Sequence, residues 1–337
     1  MISEQPVVSI IIVNTNDERV LIPCLESLQQ HESELPKEVL IVDNHSSSDI
    51  RKLLTGAFTG IRVISLNENS GFCRANNAGI REAKGKYLLL LNPDTILREA
   101  CISKCIEYFE SRVDQKIGIV GCRLLNVDGI LQKSFHFTSS SILKATQANP
   151  IYIKLFHNGI KRTNDRREDE LHSRTSKAPW LCGAFLLMNR EVILAENFFL
   201  DEDFFLYSDD CELGYRMRKK NYELIYFSQA SIIHLGGGIM PALKRNEQLA
   251  ISEWLCMMKV HGKFYFTVNQ LLVMLNLLLD ELLYRRAAFQ KKIRLHHLRE
   301  KVIRRRLWLL WKKYTLRILL RYKRAASSAT GMLRFQP

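Results

Sequence analysis

The chain has 337 residues, 47% apolar and 25% charged, with 16 glycines and 8 prolines; this is a globular composition, which excludes fibrous and disordered classes. The length suits one large or two ordinary domains. The formal charge of +14 sits in the tail: residues 285–324 hold 16 Lys or Arg against the single acid Glu300, while residues 1–284 sum to −2.

In chain order, residues 7–13 (VVSIIIV) make a β-branched run that predicts a buried parallel strand. Residues 17–30 place Val20, Leu21, Cys24, Leu25 and Leu28 on one helical face. A second strand is predicted over 39–43, a short helix over 50–54 behind helix-start residues 46–49, and a third strand over 61–66. Residues 71–83 begin as a loop and continue as a helix; 87–91 (YLLLL) make a fourth strand, 99–111 another helix and 117–122 a further strand. This alternation predicts an α/β fold, a mostly parallel sheet flanked by helices on both faces.

Residues 133–178 are polar and irregular, and are expected to form a mobile insertion with some helix. Order returns at 180–189 (WLCGAFLLMN). A helix-like stretch, an acidic cluster at 201–212, a helix over 213–220 and strand-like runs at 224–227 and 231–234 follow, before the breaker Gly236-Gly237-Gly238. From Glu247 onward the pattern is helical; residues 268–284 are apolar but interrupted by Asn276, Asp280 and Glu281, short and polar for a membrane span. Eight scattered cysteines form no CxxC pair, which argues against a zinc site and for a reducing compartment. No basic stretch leading into an apolar run opens the chain, so no signal peptide is expected.

Three apolar runs end in polar side chains, at Asn14-Thr15-Asn16, Asp43 and Asn92-Pro93-Asp94. Ligands of α/β sheets bind beyond the C-terminal ends of the strands, so these groups are candidates for one site. Asp94 can hold Mg2+ or Mn2+ while phosphate oxygens and water complete the shell; the alternative is an Asp in a surface turn. Asp43 can accept hydrogen bonds from a base or ribose, or cap the next helix. Residues 69–79 (NSGFCRANNAG) join Gly71, which permits close backbone approach, to Arg74, which can reach phosphate, and to the amides of Asn76 and Asn77; the alternative is ordinary helix capping. Residues 201–212 (DEDFFLYSDDCE) hold six acids among aromatics. Acids beside apolar groups resist burial, so the cluster calls for a metal, base or substrate unless it is a solvated helix start. His234 is either structural or a ligand, and Trp180 either stacks on a sugar or fills the core.

The order of these pieces resembles family 2 glycosyltransferases of the GT-A fold, notably the rhamnosyltransferase-like members that build bacterial surface polysaccharides. The matching segments are VSIIIVNTN (8–16), VDNHSSSD (42–49), NENSGFCRANNAGI (67–80), YLLLLNPDT (87–95), WLCGAFLLMNRE (180–191), FFLYSDDCELGYRMRKKN (204–221) and IIHLGGG (232–238). The resemblance implies that Asn14, Asn16, Asp43, Arg74, Asn76 and Asn92 bind a nucleotide sugar, with Asn14 and Asp43 at the base and Arg74 and Asn76 near ribose and diphosphate. Asp94 becomes the metal-binding acid of a DxD-like motif, here Asn92-Pro93-Asp94, and His234 completes metal binding. Trp180, Gly183 and Ala184 shape the acceptor side. Asp210 is the implied general base, with Asp209 second. The implied reaction is a single displacement that inverts the anomeric centre. Residues 1–262 would be the catalytic domain and 263–337 a helical, basic, membrane-associating region.

Residues 302–322 space Ile303, Leu307, Leu310, Trp311, Tyr314, Ile318 and Tyr322 three or four apart, with Arg and Lys between them. This is the form of an interfacial amphipathic helix, and a polybasic segment gains about 1 kcal/mol per Lys or Arg near an anionic leaflet. The expected partners are a dTDP-, UDP- or GDP-linked sugar, rhamnose being the sugar suggested by resemblance, a lipid-linked or glycan acceptor, and an anionic membrane surface met through 285–324. The expected location is the cytoplasmic face of the inner membrane, as a peripheral protein; no nucleic acid is expected. A sugar-1-phosphate nucleotidyltransferase would want a Gly-rich basic phosphate loop after the first strand, which Asn14-Thr15-Asn16-Asp17 is not. A non-catalytic adaptor would leave the acids at 94 and 210 without purpose.

Overall fold

A computed structural model of the chain describes residues 5–58, 60–135, 167–236 and 242–289, with single positions between 309 and 318. The chain divides into two compact units, Met1–His136 with Arg167–Met240, and Phe137–Arg166 with Pro241–Pro337.

The first unit is built on one sheet. Strands β1 (Val8–Asn14), β2 (Lys37–Asp43), β3 (Ile61–Ser65) and β4 (Tyr87–Leu91) are parallel and lie in the order β3-β2-β1-β4. All of β1 and β4 is buried, which is why both read as unbroken apolar runs. Helices α1 (Glu18–His31), α2 (Ile50–Leu54), α3 (Phe72–Glu82) and α4 (Cys101–Glu110) connect them and the strands that follow. The chain runs from β1 out to β3 and then returns to β4 on the other side of β1. That reversal opens a crevice at the C-terminal ends of the strands, the usual ligand position in such sheets. In the register there, Asn14 faces Asp43, and Asp43 faces Ser65.

Beyond β4 come β5 (Thr95–Leu97), β6 (Ile117–Leu125), β7 (Leu131–Gln132), β8 (Ser176–Lys177), β9 (Phe185–Asn189) and β10 (Glu223–His234). β9 inserts antiparallel between β4 and β6, and β10 runs parallel to β6. The predicted strands at 224–227 and 231–234 are one strand with a register shift between Phe227 and Ser231. There Ser231 gives both its N–H and its hydroxyl to Glu99 Oε1.

Two further expectations change. Helix α5 (Arg190–Ala195) precedes α6 (Asp209–Lys219), and α6 starts four residues before the predicted 213; its first turn carries Asp209, Asp210 and Glu212, acids that suit the positive end of a helix. Part of the expected mobile insertion packs firmly: residues 167–172 are helical, β8 pairs with β10, and buried Phe135 stacks on His172 at 4.1 Å between ring centroids. The rest of that insertion lies outside the described residues.

In the second unit the long helix α7 (Ala242–Phe289) is broken at Gly262, whose φ of 82° is not helical. Its side chains Trp254, Met258 and Phe266 form a core with Tyr314 and Ile318, and Trp311 packs against it. The apolar face predicted for 302–322 to meet a membrane is therefore, at its described positions, turned into the unit's own interior. The other residues of 302–322, most of the basic segment 285–324, and Gly237 and Gly238 lie outside the described residues.

Candidate active site

At the crevice, the polar strand ends join two loops together. Asn14 is fully buried; its Nδ2 donates to Ser46 Oγ at 3.1 Å, while its Oδ1 meets no partner among the described residues. Asn16, with a left-handed φ of 54°, donates its N–H to Ser46 Oγ and accepts from the Ser47 N–H and hydroxyl, both at 2.7 Å. Asp43 accepts the Ser46 N–H at 3.0 Å in a local turn. Asn44, absent from the predicted site, is the bridge to α3: its Nδ2 donates to Asn69 Oδ1 and its Oδ1 accepts from Ser70 N–H at 2.8 Å. Asn69 in turn takes the Gly71 N–H at 3.2 Å.

Gly71 is required twice. Its φ is +85°, and a Cβ there would stand 2.6 Å from the Phe205 carbonyl oxygen, which accepts the Phe72 N–H at 2.7 Å. The start of α3 is thus seated on the loop that leads to Asp209 and Asp210. Asn77 clamps the same loop, donating to the Leu200 carbonyl at 2.8 Å and accepting the Leu200 N–H at 3.0 Å. Glu202 gathers Asn77, Arg81 and Arg74, the last at 3.7 Å. Asn76 is buried, and its amide nitrogen donates one turn back to the Phe72 carbonyl at 2.9 Å, which ties that side chain to the start of α3.

Asp94 and His234 lie side by side, 3.4 Å apart between Oδ1 and Nε2. The antiparallel pairing of β5 with β10 sets Thr95 opposite His234 and lets Leu235 donate to the Asp94 carbonyl. Asn92 shapes the turn through its backbone: its N–H goes to Ala184 and its carbonyl accepts the Thr95 hydroxyl. Gln132 was not predicted. Its Nε2 donates to the His234 carbonyl at 2.7 Å, so its Oε1 faces His234 Nδ1 at 2.9 Å and makes that nitrogen the donor. In the neutral ring Nε2 then turns a lone pair toward a carboxylate oxygen. Two acceptors facing one another want a cation between them, and a metal-ligating His normally gives its other N–H to such an oxygen. These residues therefore fit a divalent ion. Asp17 adds a further carboxylate: burial first, then the Asp94 charge, raises its pKa. Among the described residues no cluster of three or more His, Cys, Asp or Glu is already gathered for a metal.

The acids of α6 differ by surroundings. Glu212 is buried but doubly bonded by Arg216 at 2.8 and 2.9 Å. Asp209 is buried, and desolvation, then the Asp210 charge, pushes its pKa up to about 8. Asp210 is the partly exposed one; it accepts the Gly183 N–H at 3.1 Å and the Cys211 N–H at 2.8 Å, and burial raises its pKa. Two consecutive residues before them, Tyr207 and Ser208, hold left-handed φ of 70° and 62°, a strained turn of the sort found at functional sites.

The predicted acceptor residues meet this acid unevenly. Gly183 touches it through its N–H, and Trp180 lies against α6 where Gly214 has no side chain, a Cβ there coming within 3.2 Å of it. Ala184 is fully buried, and its carbonyl accepts the Asn92 N–H. The Cys182 thiol is pushed up to about 12, by burial first and then by the charges of Asp210, Asp209 and Asp94. Asn44, Gln132 and Glu202 were the missed members. Asn44 stood inside a matched segment and Glu202 inside the acidic cluster at 201–212, while Gln132 stood in neither.

Comparison with known proteins bears on the family and the fold. The family model described as glycosyl transferase family 2 matches residues 9–194. A low-salt glycan biosynthesis hexosyltransferase of Haloferax volcanii is 25% identical over 58% of this chain and 58% of its own length. Rhamnosyltransferase WbbL of Escherichia coli (strain K12) is 27% identical over 67% of this chain and 83% of its length. An N-acetylglucosaminyl-diphospho-decaprenol L-rhamnosyltransferase of Mycobacterium tuberculosis is 24% identical over 60% of this chain and 67% of its length. The chain thus spans little more than half of the Haloferax relative. The crystal structure of GalNAc-T7 with UDP, GalNAc and Mn2+ superposes with a TM-score of 0.50 at 14% identity, covering 74% of this chain and 48% of that one. The fold is therefore the GT-A fold that the sequence implied, and with more than half of its residues matched the chain belongs to glycosyl transferase family 2.

Proposed function

We propose that the protein transfers a sugar, rhamnose in the reading its relatives' names favour, from a nucleoside diphosphate to a hydroxyl of a lipid-linked saccharide or glycan, with inversion. The observation that carries this is Asp210. Among the three acids of the first turn of α6 it alone is neither fully buried nor neutralised by an arginine, two backbone N–H groups fix its oxygens, and its proton affinity is raised. A carboxylate so held has the basicity and orientation to take the proton of an acceptor hydroxyl as that oxygen attacks the anomeric carbon.

Asn14, whose buried oxygen has no partner among the described residues, Asn16 and Asp43 mark the base end of the donor site, and Arg74, tied to Glu202, is the cation for its diphosphate. Asn92 shapes the turn that presents Asp94. Asp94 and His234 would hold Mg2+ or Mn2+, which supplies positive charge to a departing diphosphate. His234 is oriented for this by Gln132, and Asp94 by its turn. No side chain need protonate the leaving group, unlike in glycoside hydrolysis. Gly183 and Trp180 border the acceptor side. The 16 Lys and Arg of 285–324 would hold the enzyme on the anionic cytoplasmic face of the inner membrane, where a polyprenyl-linked acceptor is available.

The test joins a thermal-shift panel of dTDP, UDP and GDP, with and without Mn2+, to sugar transfer by Asp210→Asn and Asp94→Ala. The right nucleotide well above its Kd should stabilise by a few kcal/mol, about 2.7 kcal/mol at a hundredfold excess. Folded variants that transfer sugar as fast as wild type would remove the reading.

A further inference from the structure

Helix α7 beyond its break at Gly262 is inside out. Phe264, Leu271, Leu275 and Leu278 are 84%, 54%, 48% and 46% exposed, while Asn269 and Gln270 on the same helix are 1% and 2% exposed. The Gln270 amide oxygen is capped by the Thr315 hydroxyl at 3.2 Å, but Asn269 Nδ2 and Gln270 Nε2 meet no partner among the described residues. Spacings of seven, four and three residues at about 100° per residue confine the four apolar side chains to an arc of about 60°, and at about 1.5 Å per residue the stripe runs for about 21 Å. Elsewhere among the described residues large exposed apolar side chains such as Leu53, Val113 and Leu194 stand singly, which is ordinary. A continuous stripe of this kind is not.

The charge beside the stripe says what covers it. The same helix reaches Arg285 and Arg286, which open the segment holding 16 Lys or Arg and one acid. A second copy of the chain carries the same excess of positive charge. A surface that is apolar within and anionic at its rim complements both features. No described helix is long and apolar enough to cross a membrane, so the stripe suits a helix lying in the interface.

We propose that Phe264, Leu271, Leu275 and Leu278 form a bilayer-insertion face docked on anionic lipid. This deepens the membrane reading under Proposed function, which rests on charge alone, and it moves the apolar contact from 302–322 to α7. The full chain is sedimented with vesicles of phosphatidylglycerol and phosphatidylcholine at low and at high salt, beside a variant carrying Phe264→Ser, Leu271→Ser, Leu275→Ser and Leu278→Ser. These positions are exposed, so the variant should fold, which circular dichroism checks. Wild type is expected to stay bound at high salt, and the variant to bind at low salt but to lose at least about tenfold in partition at high salt, since each buried methylene contributes about 0.8 kcal/mol. Equal high-salt binding by the two, or complete release of wild type at high salt, overturns the insertion face. Absence of wild-type binding even at low salt overturns the charge reading too. A wild-type dimer in light scattering that the variant dissolves, with vesicle binding unchanged, assigns the stripe to a second copy and also overturns it.

Discussion

Asn77 offers the sharpest test of how α3 and the acid-bearing loop are joined. Its amide satisfies both backbone groups of Leu200, at 2.8 and 3.0 Å, and also donates to Glu202 at 3.1 Å. Asn77 and Leu200 are 1% and 3% exposed, so Asn77→Ala leaves two buried backbone groups unpaired. At about 1–3 kcal/mol for each such group, the loss should be about 2–4 kcal/mol after partial relaxation. For a unit of this size about 1 kcal/mol moves Tm by about 2–4 °C, so calorimetry should record a fall of roughly 5–15 °C. The freed loop also carries Tyr207 and Ser208, whose left-handed backbone is held against a cost of about 1–3 kcal/mol each, and it ends at Asp210. On the proposed function, kcat should therefore fall about tenfold, with the donor KM nearly unchanged, because the donor side of α3 keeps Asn44 and Asn69. Asn77→Asp retains the acceptor but sets a carboxylate beside Glu202; pairing it with Glu202→Gln should recover part of the loss. A Tm within about 1 °C of wild type for Asn77→Ala, together with an unchanged kcat, would refute the clamp.

Three further outcomes follow from the same geometry. Gly71→Ala should cost more than about 3 kcal/mol in urea unfolding, combining the left-handed penalty of about 1–2 kcal/mol with a clash on Phe205; Gly60→Ala, at φ +75° but with nothing within 4 Å, should lose only the first part. Gln132→Leu should weaken Mn2+ binding by about 10–100-fold in calorimetric titration, since it releases the His234 ring. Asp209, with its pKa raised from 3.8 to about 8, binds a proton in the native state that the unfolded chain releases near pH 4; its stabilising share is complete below that pH and is lost as pH rises through 8. Asp209→Asn should flatten the decline of Tm between pH 5 and 8, and parallel curves for the two proteins would dismiss the buried acid.

The first half of the fold was legible because buried parallel strands announce themselves as short apolar runs; β1 and β4 are wholly of that kind, β2 through its middle, and β3 only half-buried. β9 has the same appearance, but nothing local to Phe185–Asn189 says that it enters antiparallel between β4 and β6; that is decided by pairing with strands far away in the chain. The early start of α6 was hidden because acids at 209–212 serve equally as a helix's first turn or as a loop. β10 was divided at polar Ser228 and Gln229, where the structure has a register shift and not an end.

The site shows the same limit in chemical form. Residue type told which side chains can bind, metalate or abstract a proton, but not which were already satisfied. Asn76 and Ala184 belong to the matched segments and still face inward, one bonded to Phe72 and the other to Asn92. Gln132 orients His234 from 102 residues away, beyond any local pattern. The amphipathic tail carries the point furthest. A helix periodicity of apolar and basic residues reads alike whether its apolar face meets lipid or protein. Trp311, Tyr314 and Ile318 meet protein, among Trp254, Met258 and Phe266. At those three described positions the predicted membrane face is turned inward, while the leucines of α7, interrupted in sequence by Asn276 and Asp280 and so discounted there, are open to an apolar partner. Burial, which depends on every neighbour at once, separates the two cases; periodicity does not.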